Sequence, residues 1–514
     1  MSQVAASHRE VENLPLLIFS IMLATLMQVI DTTIANVALP HMQGSLSATQ
    51  DQIAWVLTSY IVAAAIATPA TGWLAARLGR KYLLVIAIAG FMGASILCAM
   101  ATGIGEMVGF RVLQGLFGAA LVPISQSSLL DSFPPERHGA AMALWGMGIM
   151  VGPILGPPLG GWLTENYSWH WVFLINVPVG ALALFGVLAS VPPDEPHESR
   201  FDWRGFFFLS MGIAALQLML DRGNEKDWFG SVEIQIELAL AFLGFYLYWV
   251  HWYTRERAFV NLGMLRDRNF GVATLFIFVV GVVLYATMAL LPPYLQNLMN
   301  YPVITTGILL APRGVGTLVA MMVVGRLMAM RIDPRLLIGI GICMTTYSLW
   351  MMTHFSADVP MWPIINAGIV QGVGLGLVFV PVSTIAYATL PMRARTEAAG
   401  IYSLVRNIGS SVGISIVFAL VARYTQINHA ELVERLTPFG TQPLPASVHS
   451  ALGLAALNGE VTRQAAAIAY INDFWLMAWM TLATLPLLLL FRVPRRAAKI
   501  AKQSPIAQGP AVDS

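Results

Sequence analysis

Residues 146–162 read GMGIMVGPILGPPLGGW, an apolar run in which Gly148, Gly152, Gly156 and Gly160 recur at every fourth position. Glycines at this spacing share one face of a helix, where a neighbouring helix can approach backbone to backbone. The three prolines in the run are tolerated inside a bilayer, because neighbouring helices satisfy the freed backbone groups. The run therefore predicts a membrane helix with a bendable, closely packed face, although small-residue spacing alone is equally consistent with a helix that only packs.

The composition extends this prediction to the whole chain. Of the 514 residues, 57% are hydrophobic and 11% are charged, which is too little charge to cover a soluble globule of this size. The two cysteines, Cys98 and Cys343, each lie in an apolar run, which argues against a disulfide framework or a cysteine metal site. The first apolar run, 14–40, is longer than the core of a signal peptide, so we expect no cleavable signal.

Apolar stretches near the ~20 residues that cross a bilayer predict about fourteen spans, and hence an all-α polytopic membrane protein. The predicted spans are 15–38, 53–74, 82–102, 107–129, 140–162, 171–191, 204–220, 235–253, 270–292, 304–326, 335–354, 361–386, 398–422 and 471–491.

The distribution of basic residues predicts the orientation of these spans. An even number of spans places both termini on one side. That side carries Arg77, Arg80, Lys81, Arg137, Arg200, Arg204, Arg255, Arg257, Arg266, Arg268, Arg326, Arg331, Arg335, Arg393, Arg395, Arg492, Arg495, Arg496, Lys499 and Lys502. The other side carries only Arg222, Lys226, Arg423, Arg435 and Arg463. The positive-inside rule therefore predicts that both termini are cytoplasmic.

Two polar segments divide the chain. The charged stretch VPPDEPHESRFD at 192–203 follows six spans and suits a linker between two bundles. Residues 424–470 form the only long external loop, with a helical-looking portion ahead of the last span, and serve either as a solvated cap or as a docking surface. The predicted organisation is a six-helix bundle at 1–191, a linker with two additional spans at 192–269, a second six-helix bundle at 270–492 and a cytoplasmic tail at 493–514.

Ionisable residues inside the predicted spans are the sharpest functional signal, because a charge at mid-bilayer costs about 2.5–3.5 kcal/mol even on the lenient insertion scale. Asp31 and Arg111 lie at comparable depth, so an ion pair between them is geometrically feasible. Such a pair either only neutralises two charges or carries function. Arg313 and Arg406, in the second half, could bind an anionic substrate, counter a carboxylate or pair with backbone carbonyls.

Polar residues that share helix faces with these charges predict a cavity. The first span carries a stripe that must face away from lipid, and Gln114 shares its face with Arg111. The predicted substrate-cavity residues are Thr25, Gln28, Thr32, Asn36, Gln114, Arg313 and Arg406.

Several motifs resemble one family. GWLAARLGRK (72–81) resembles the loop signature of the major facilitator superfamily, FRVLQGLFGAA (110–120) is similar to its fourth-span arginine motif, and the run at 146–162 resembles its fifth-span antiporter motif. Five further segments resemble the EmrB/QacA-type drug:proton antiporters with fourteen spans. They are DTTIANVALP (31–40), LLDSFPPERHGAAMALWG (129–146), WHWVFLINVPVG (169–180), MLDRGNEKDWFGS (219–231) and YSLVRNIGSSVG (402–413). The order and spacing of these motifs cover nearly the whole chain.

The resemblance implies roles for particular residues. Asp31 would be a proton-binding carboxylate tuned by Arg111. The fifth-span residues Gly148, Gly152, Pro153, Gly156, Gly160 and Gly161 would form the interface that controls the conformational switch. The loop signature is carried by Gly72, Arg77, Gly79, Arg80 and Lys81. Ala76 stands where the family usually has an aspartate, which puts the usual interdomain charge latch in doubt.

The resemblance also implies a major facilitator fold of two six-helix bundles plus two linking helices, and a proton-coupled antiporter that exports amphipathic or lipophilic toxic compounds. Such multidrug pumps work in the Gram-negative inner membrane with a periplasmic adaptor protein and a TolC-like outer-membrane channel. The alternatives are an exporter dedicated to one metabolite class, such as a fatty acid or a siderophore, an importer, or a non-transporting receptor or scaffold.

The sequence gives no support for an enzyme. It has no paired catalytic carboxylates, zinc-type His/Cys spacing or G-x-S-x-G turn. A Walker A motif is also missing, so ATP is not expected to drive transport directly. We expect protons and a small amphipathic substrate as ligands within the lipid bilayer, with no cofactor, metal or nucleic acid.

Overall fold

The structure, a computed structural model, describes residues 13–134, 137–194, 200–255, 258–330, 332–436 and 450–492. Within these ranges fourteen helices are long and apolar enough to cross a membrane, which confirms the predicted number of spans. They are α1 (Leu14–Ser45), α2 (Gln52–Leu78), α3 (Arg80–Met100), α4 (Ile104–Asp131), α5 (His138–Asn166), α6 (Trp171–Ser190), α7 (Trp203–Arg222), α8 (Val232–Thr254), α9 (Arg268–Leu298), α10 (Thr305–Ala329), α11 (Pro334–Met352), α12 (Met361–Ala388), α13 (Arg395–Glu434) and α14 (Leu452–Leu490).

Local sequence explains where several of these helices begin and end. A capping box precedes α2, where the Thr49 hydroxyl accepts from the Gln52 amide and the Gln52 side chain accepts from the Thr49 amide. The Asp202 carboxylate caps α7 by accepting from the Gly205 amide. Gly79 separates α2 from α3 with a φ of +80°, a conformation that favours glycine.

The helices are arranged as six, two and six. In the first bundle α1 packs on α5 and α6, and α2 packs on α4. In the second bundle α10 packs on α12, and α9 packs on α13. Helices α7 and α8 form a hairpin that packs through α7 on α2 and α13, so α7 joins the two bundles along one side.

The described ends of the chain mark one face of the molecule, which we call the terminal face. There the Asn269 side chain, at the start of α9, donates to the Arg492 carbonyl just beyond α14 at 2.8 Å. Odd-numbered helices begin at this face and even-numbered helices end at it; the opposite face is called the distal face. Arg80, Asp131 and Arg395 all belong to the terminal face.

The two bundles meet through α5 and α10, and through α13 packed on α2 and α4. Trp145 of α5 is fully buried and stacks on Phe379 of α12, with ring centroids 6.0 Å apart. Met321 of α10 lies against Gly146 of α5, where a Cβ atom would approach the Met321 sulfur to 2.9 Å. A continuous apolar core therefore spans both bundles.

The region predicted as a long external loop, 424–470, is largely helical. Helix α13 continues to Glu434 and α14 begins at Leu452, while residues 437–449 and the tail at 493–514 lie outside the described residues. The two extensions contact each other, because the Asn428 side chain donates to the Ala465 carbonyl at 3.2 Å. At about 1.5 Å per residue, α13 is roughly 60 Å long, twice the thickness of a bilayer core.

Candidate functional site

A completely buried ion pair lies inside the first bundle. Arg111 Nη1 of α4 donates to Asp31 Oδ2 of α1 at 2.7 Å, and both side chains are 0% exposed. The pairing proposed from the depth of the two residues is present in the structure. Burying two charges is expensive, so the surrounding hydrogen bonds decide whether the pair is tolerated.

Polar side chains from three helices complete the surroundings of Asp31. Its Oδ1 accepts from Gln114 Nε2 at 2.9 Å and from Asn176 Nδ2 at 2.8 Å. Ser95 of α3 accepts from both amides, at 2.7 Å from Gln114 and 3.2 Å from Asn176. The Asp31 carboxylate therefore accepts hydrogen bonds from three side chains, Arg111, Gln114 and Asn176.

Tyr60 of α2 packs against the ion pair and also lines a cavity between the two bundles. The Arg111 guanidinium lies 4.4 Å from the centroid of the Tyr60 ring, and the same tyrosine lines the cavity. Arg111 Nε also donates to the Val56 carbonyl at 2.9 Å, one turn earlier on α2. A change in the charge of Asp31 would therefore affect α2, because Arg111 contacts this helix at Val56 and Tyr60.

A cavity of about 350 Å³ lies between the two bundles and is closed on one side by α7. Its polar lining includes Gln28 and Thr32 of α1 and Arg406 of α13, three of the residues predicted from the sequence. Its apolar lining includes Val29, Ile61, Tyr285, Leu404, Ile408 and Phe418. This mixed surface suits an amphipathic ligand better than a purely polar one.

The inserted hairpin contributes directly to this cavity. Helix α7 supplies Gln217 and Asp221 to the lining, and Asn224 in the following turn adds to it. The Thr58 hydroxyl of α2 donates to the Asp221 carboxylate, and Gln217 Nε2 donates to Ser411 Oγ of α13 at 2.7 Å. The hairpin is thus part of the cavity wall, a role that the sequence did not indicate.

The other predicted cavity residues lie elsewhere. Thr25 is buried and donates to the Ile21 carbonyl of its own helix, and Asn36 is exposed away from the cavity. Gln114 belongs to the surroundings of the ion pair. Arg313 is buried in the second bundle, where its Nη2 donates to the Leu284 carbonyl at 3.2 Å. In this conformation the structure does not bring these four side chains to the cavity lining.

The glycine face of α5 points at α1 inside the same bundle. Cβ atoms placed on Gly152 and Gly160 would lie 2.5 Å from Val29 Cγ1 and 2.7 Å from Ile34 Cγ1, and Gly156 faces Thr33. Gly148 lies against the flexible end of Met22, whereas a Cβ on Gly161 would reach nothing closer than 3.9 Å. Pro153 lies one residue beyond Gly152 and is partly exposed. The contact between bundles instead uses Gly139 and Gly146 of α5.

A charge cluster at the terminal face joins the two bundles. Asp131 at the end of α4 accepts from Arg80 Nη1 at 2.6 Å through Oδ2 and from Arg395 Nη1 at 2.7 Å through Oδ1. Arg80 also pairs with Asp194 at 2.9 Å. Because Arg395 begins α13, this carboxylate ties the first bundle to the second, although Ala76 leaves the loop without its usual aspartate.

The remaining loop-signature residues have local roles. Gly72 packs against Glu397 of α13, where a Cβ would lie 3.0 Å from the Glu397 backbone. Arg77 lies over the Trp73 ring at 6.0 Å, and Lys81 Nζ donates to the Leu188 carbonyl at 2.8 Å. Gly72 therefore permits close approach of the bundles, while the two basic side chains bind within the first bundle.

Sequence reasoning missed four residues of note. Asn176 and Asp131 lay within motifs quoted for the family resemblance, and Asp221 follows the seventh predicted span directly. Asp473 lies near the start of the last predicted span; it is 1% exposed, and neither carboxyl oxygen has a partner among the described residues. The sequence did not indicate that Asp473 is buried, because an acidic residue near the end of a predicted span is usually expected to be solvated.

Comparison with known proteins identifies a matching family, and the relatives named below are a resistance protein and an export protein. A model of the Major Facilitator Superfamily matches residues 21–414. The chain is 35% identical over 485 residues to the fatty acid resistance protein FarB of Neisseria gonorrhoeae, covering 92% of this chain and 95% of that protein. It is 33% identical over 497 residues to the multidrug export protein EmrB of Escherichia coli K12, covering 94% and 96%.

A solved structure shares the architecture at low identity. The crystal structure of the human organic anion transporter MFSD10 (TETRAN) aligns with a TM-score of 0.57 and 14% sequence identity, covering 91% of this chain and 99% of that chain. This likeness concerns the fold alone.

Proposed function

This chain belongs to the Major Facilitator Superfamily, and we propose that it is a proton-coupled antiporter that exports amphipathic or lipophilic compounds. The proposal is carried by the buried Asp31–Arg111 pair, which contacts Tyr60, a residue of the cavity lining. Ionisable residues inside a membrane are costly and are functional by default. A carboxylate held by one cation can exchange a proton whenever that cation is drawn away.

The geometry suggests how proton and substrate are coupled. Protonation of Asp31 removes the charge that holds Arg111 Nη1 and turns one of its oxygens into a donor. Arg111 then loses its strongest partner but keeps its contacts with Val56 and Tyr60 of α2. The protonated site therefore favours a different position of α2, which also lines the cavity and contacts α13. Substrate release and proton uptake would in this way use the same helix.

The named activities of the relatives support a lipophilic substrate. FarB is described as a fatty acid resistance protein and EmrB as a multidrug export protein. A cavity with apolar walls and few polar groups discriminates weakly among compounds of similar size. The first candidate is therefore multidrug efflux, and an exporter dedicated to fatty acids is the second, favoured by the similarity to FarB.

We place the protein in the inner membrane with both termini in the cytoplasm. Arg80, Arg268, Arg335 and Arg395 all lie at the terminal face, in agreement with the positive-inside rule. The extensions of α13 and α14 would then project into the periplasm. They offer a surface for a periplasmic adaptor and, through it, a TolC-like channel.

Substrate-induced proton release from inside-out vesicles tests the proposal. Vesicles carrying the native chain, Asp31→Asn or the exposed control Asp358→Asn are acidified inside and given a panel of lipophilic acids, bases and neutral compounds. We expect release with the native chain and the control, and none with Asp31→Asn although it still binds substrate. Equal release from all three would overturn the role of Asp31, and no release with any compound would favour a non-transporting receptor.

A further inference from the structure

Among the described residues, Arg406 is a buried arginine that has no ion-pair or hydrogen-bond partner. The four buried arginines among the described residues are Arg111, Arg313, Arg395 and Arg406. The first three bind Asp31, the Leu284 carbonyl and Asp131, respectively. The Arg406 side chain is 8% exposed, its Nε is buried without an acceptor, and no ion pair joins it to another described residue. A cation taken out of water without a partner is expensive, so this charge requires an anion or water from the cavity.

The surroundings of Arg406 form a polar face on α13. Ser403, Arg406, Asn407 and Ser410 all line the cavity, and their spacing places them on one side of the helix. Ser403 is 3% exposed, and its hydroxyl also lacks a partner among the described residues. The face thus presents a guanidinium and a hydroxyl donor, and donors in this combination recognise an anionic head group.

The position of this face sets where the rest of a ligand would lie. Arg406 is eleven residues from the start of α13, which at about 1.5 Å per residue places it roughly 16 Å deep, near mid-membrane. Leu404, Ile408 and Phe418 of the same helix add apolar surface to the lining. The carboxylate in the described lining belongs to Asp221, which lies at the distal end of α7 and is not paired with Arg406.

We propose that Arg406 is the anchoring site for the acidic head group of an amphipathic organic anion, such as a carboxylate or sulfonate, with Ser403 as a second donor. The apolar body of the ligand lies along α13 toward the distal face. Asp221 lies at the distal end of α7 in the same cavity lining, where its negative charge disfavours a reversed orientation of the ligand. This assignment rests on the proposed export function and names the substrate class of its cavity.

Binding to the purified chain in nanodiscs tests this assignment without any gradient. The probes are decanoate, decanol and decyltrimethylammonium, which share one tail and differ in head-group charge. The variants are Arg406→Gln, Arg406→Lys, Asp221→Asn and the exposed control Arg326→Gln. We expect Arg406→Gln to weaken decanoate binding about 10- to 100-fold, the range for a lost charge-assisted hydrogen bond.

The other measurements separate charge recognition from cavity shape. Arg406→Lys should retain part of the decanoate affinity, Asp221→Asn should raise it because a like charge is removed from the cavity, and Arg326→Gln should match the native chain. Decanol binding should be the same in all variants, which also shows that the cavity is folded. Unchanged decanoate binding in Arg406→Gln, an equal loss of decanol binding, or native binding no tighter for decanoate than for decanol would each overturn the assignment.

Substrate-induced proton release from vesicles distinguishes failure of the anion site from failure of the proposed export function. If decanoate binds through Arg406 but the native vesicles release no protons, the anion site stands and export is wrong. If protons are released equally for acidic compounds by the native chain and Arg406→Gln, export stands and the anion site is wrong.

Discussion

The Asp131 carboxylate of α4 accepts a hydrogen bond from Arg395 Nη1 of α13 at 2.7 Å, across a separation of 264 residues in sequence. The Arg395 and Asp131 side chains are 11% and 8% exposed, and the Asp131 carboxylate also binds Arg80. This contact connects the two bundles at the terminal face. At the terminal face the two bundles are therefore held together by the Asp131 carboxylate of α4. Residue 76, where the family usually has an aspartate, is an alanine and cannot form such an ion pair.

Asp131→Asn should open the terminal face. The change weakens both ion pairs of the carboxylate, and removing one partner of a buried pair costs about 3 kcal/mol. A cysteine introduced at the buried Ser127, which contacts Thr396 of α13 at 3.2 Å, should react with a membrane-impermeant maleimide at least tenfold faster in inside-out vesicles. Asp194→Asn is the matched control, because Asp194, in the linker after α6, pairs with the same Arg80 of the first bundle. Equal labelling of both variants would contradict a closing role for Asp131.

Asp31→Asn should lower the stability of the first bundle. It leaves the buried Arg111 guanidinium without a counter-charge, at an expected cost of about 3–5 kcal/mol in the free energy of unfolding. Adding Arg111→Gln should recover part of this loss, because no unpaired charge then remains. Thermal unfolding of the purified single and double variants measures the coupling. A double variant less stable than Asp31→Asn would show that Arg111 acts mainly through Val56 and Tyr60.

Gly160→Ala and Gly161→Ala should differ sharply although they are neighbours. A Cβ at Gly160 would lie 3.0 Å from the Ile34 carbonyl oxygen, so α1 and α5 must separate. The nearest atom to a Cβ at Gly161 is 3.9 Å away. We expect Gly160→Ala to lower the free energy of unfolding by about 1–3 kcal/mol, and Gly161→Ala to be neutral or slightly stabilising. Similar melting temperatures for the two variants would place the helix contact elsewhere.

Asp473→Asn should be tolerated. Both carboxyl oxygens of Asp473 are buried without a hydrogen-bond partner among the described residues, so a charge there would be costly. An uncharged side chain of the same shape should keep or raise the melting temperature, whereas Asp31→Asn should lower it. A large loss of stability in Asp473→Asn would show that the carboxylate has a charged partner that this conformation lacks.

Ionisation of Asp202, which lies at the terminal face, should make the free energy of unfolding depend on pH. Burial raises the pKa of this carboxyl, but hydrogen bonds from the Gly205 and Phe259 amides and from His251 outweigh it and hold the pKa below its usual range. A lowered folded pKa stabilises above the unfolded value of about 3.9, and the gain is lost as the pH falls through the folded pKa. Asp202→Asn keeps a capping side chain but removes the charge. Its melting temperature should lie below that of the native chain at pH 7, and the difference should shrink below about pH 4; a constant difference would contradict this account.

Local patterns in the sequence predicted much of the fold. Apolar length gave fourteen spans, because crossing a bilayer is a requirement on each helix by itself. The similar depths of Asp31 and Arg111 in their spans indicated that an ion pair between them was feasible, because the rise per residue of a helix converts residue number into depth. The glycine spacing at 148–160 correctly predicted a closely packed face.

Tertiary structure alone decided what each face meets. The glycine face contacts α1 rather than the other bundle, Asp131 finds Arg395, and α7 enters the cavity wall beside Arg406. Helix periodicity and hydropathy are properties of neighbouring residues, whereas these contacts join helices that are distant in the chain. Which of several compatible faces pack together depends on the shapes and charges of all fourteen helices at once.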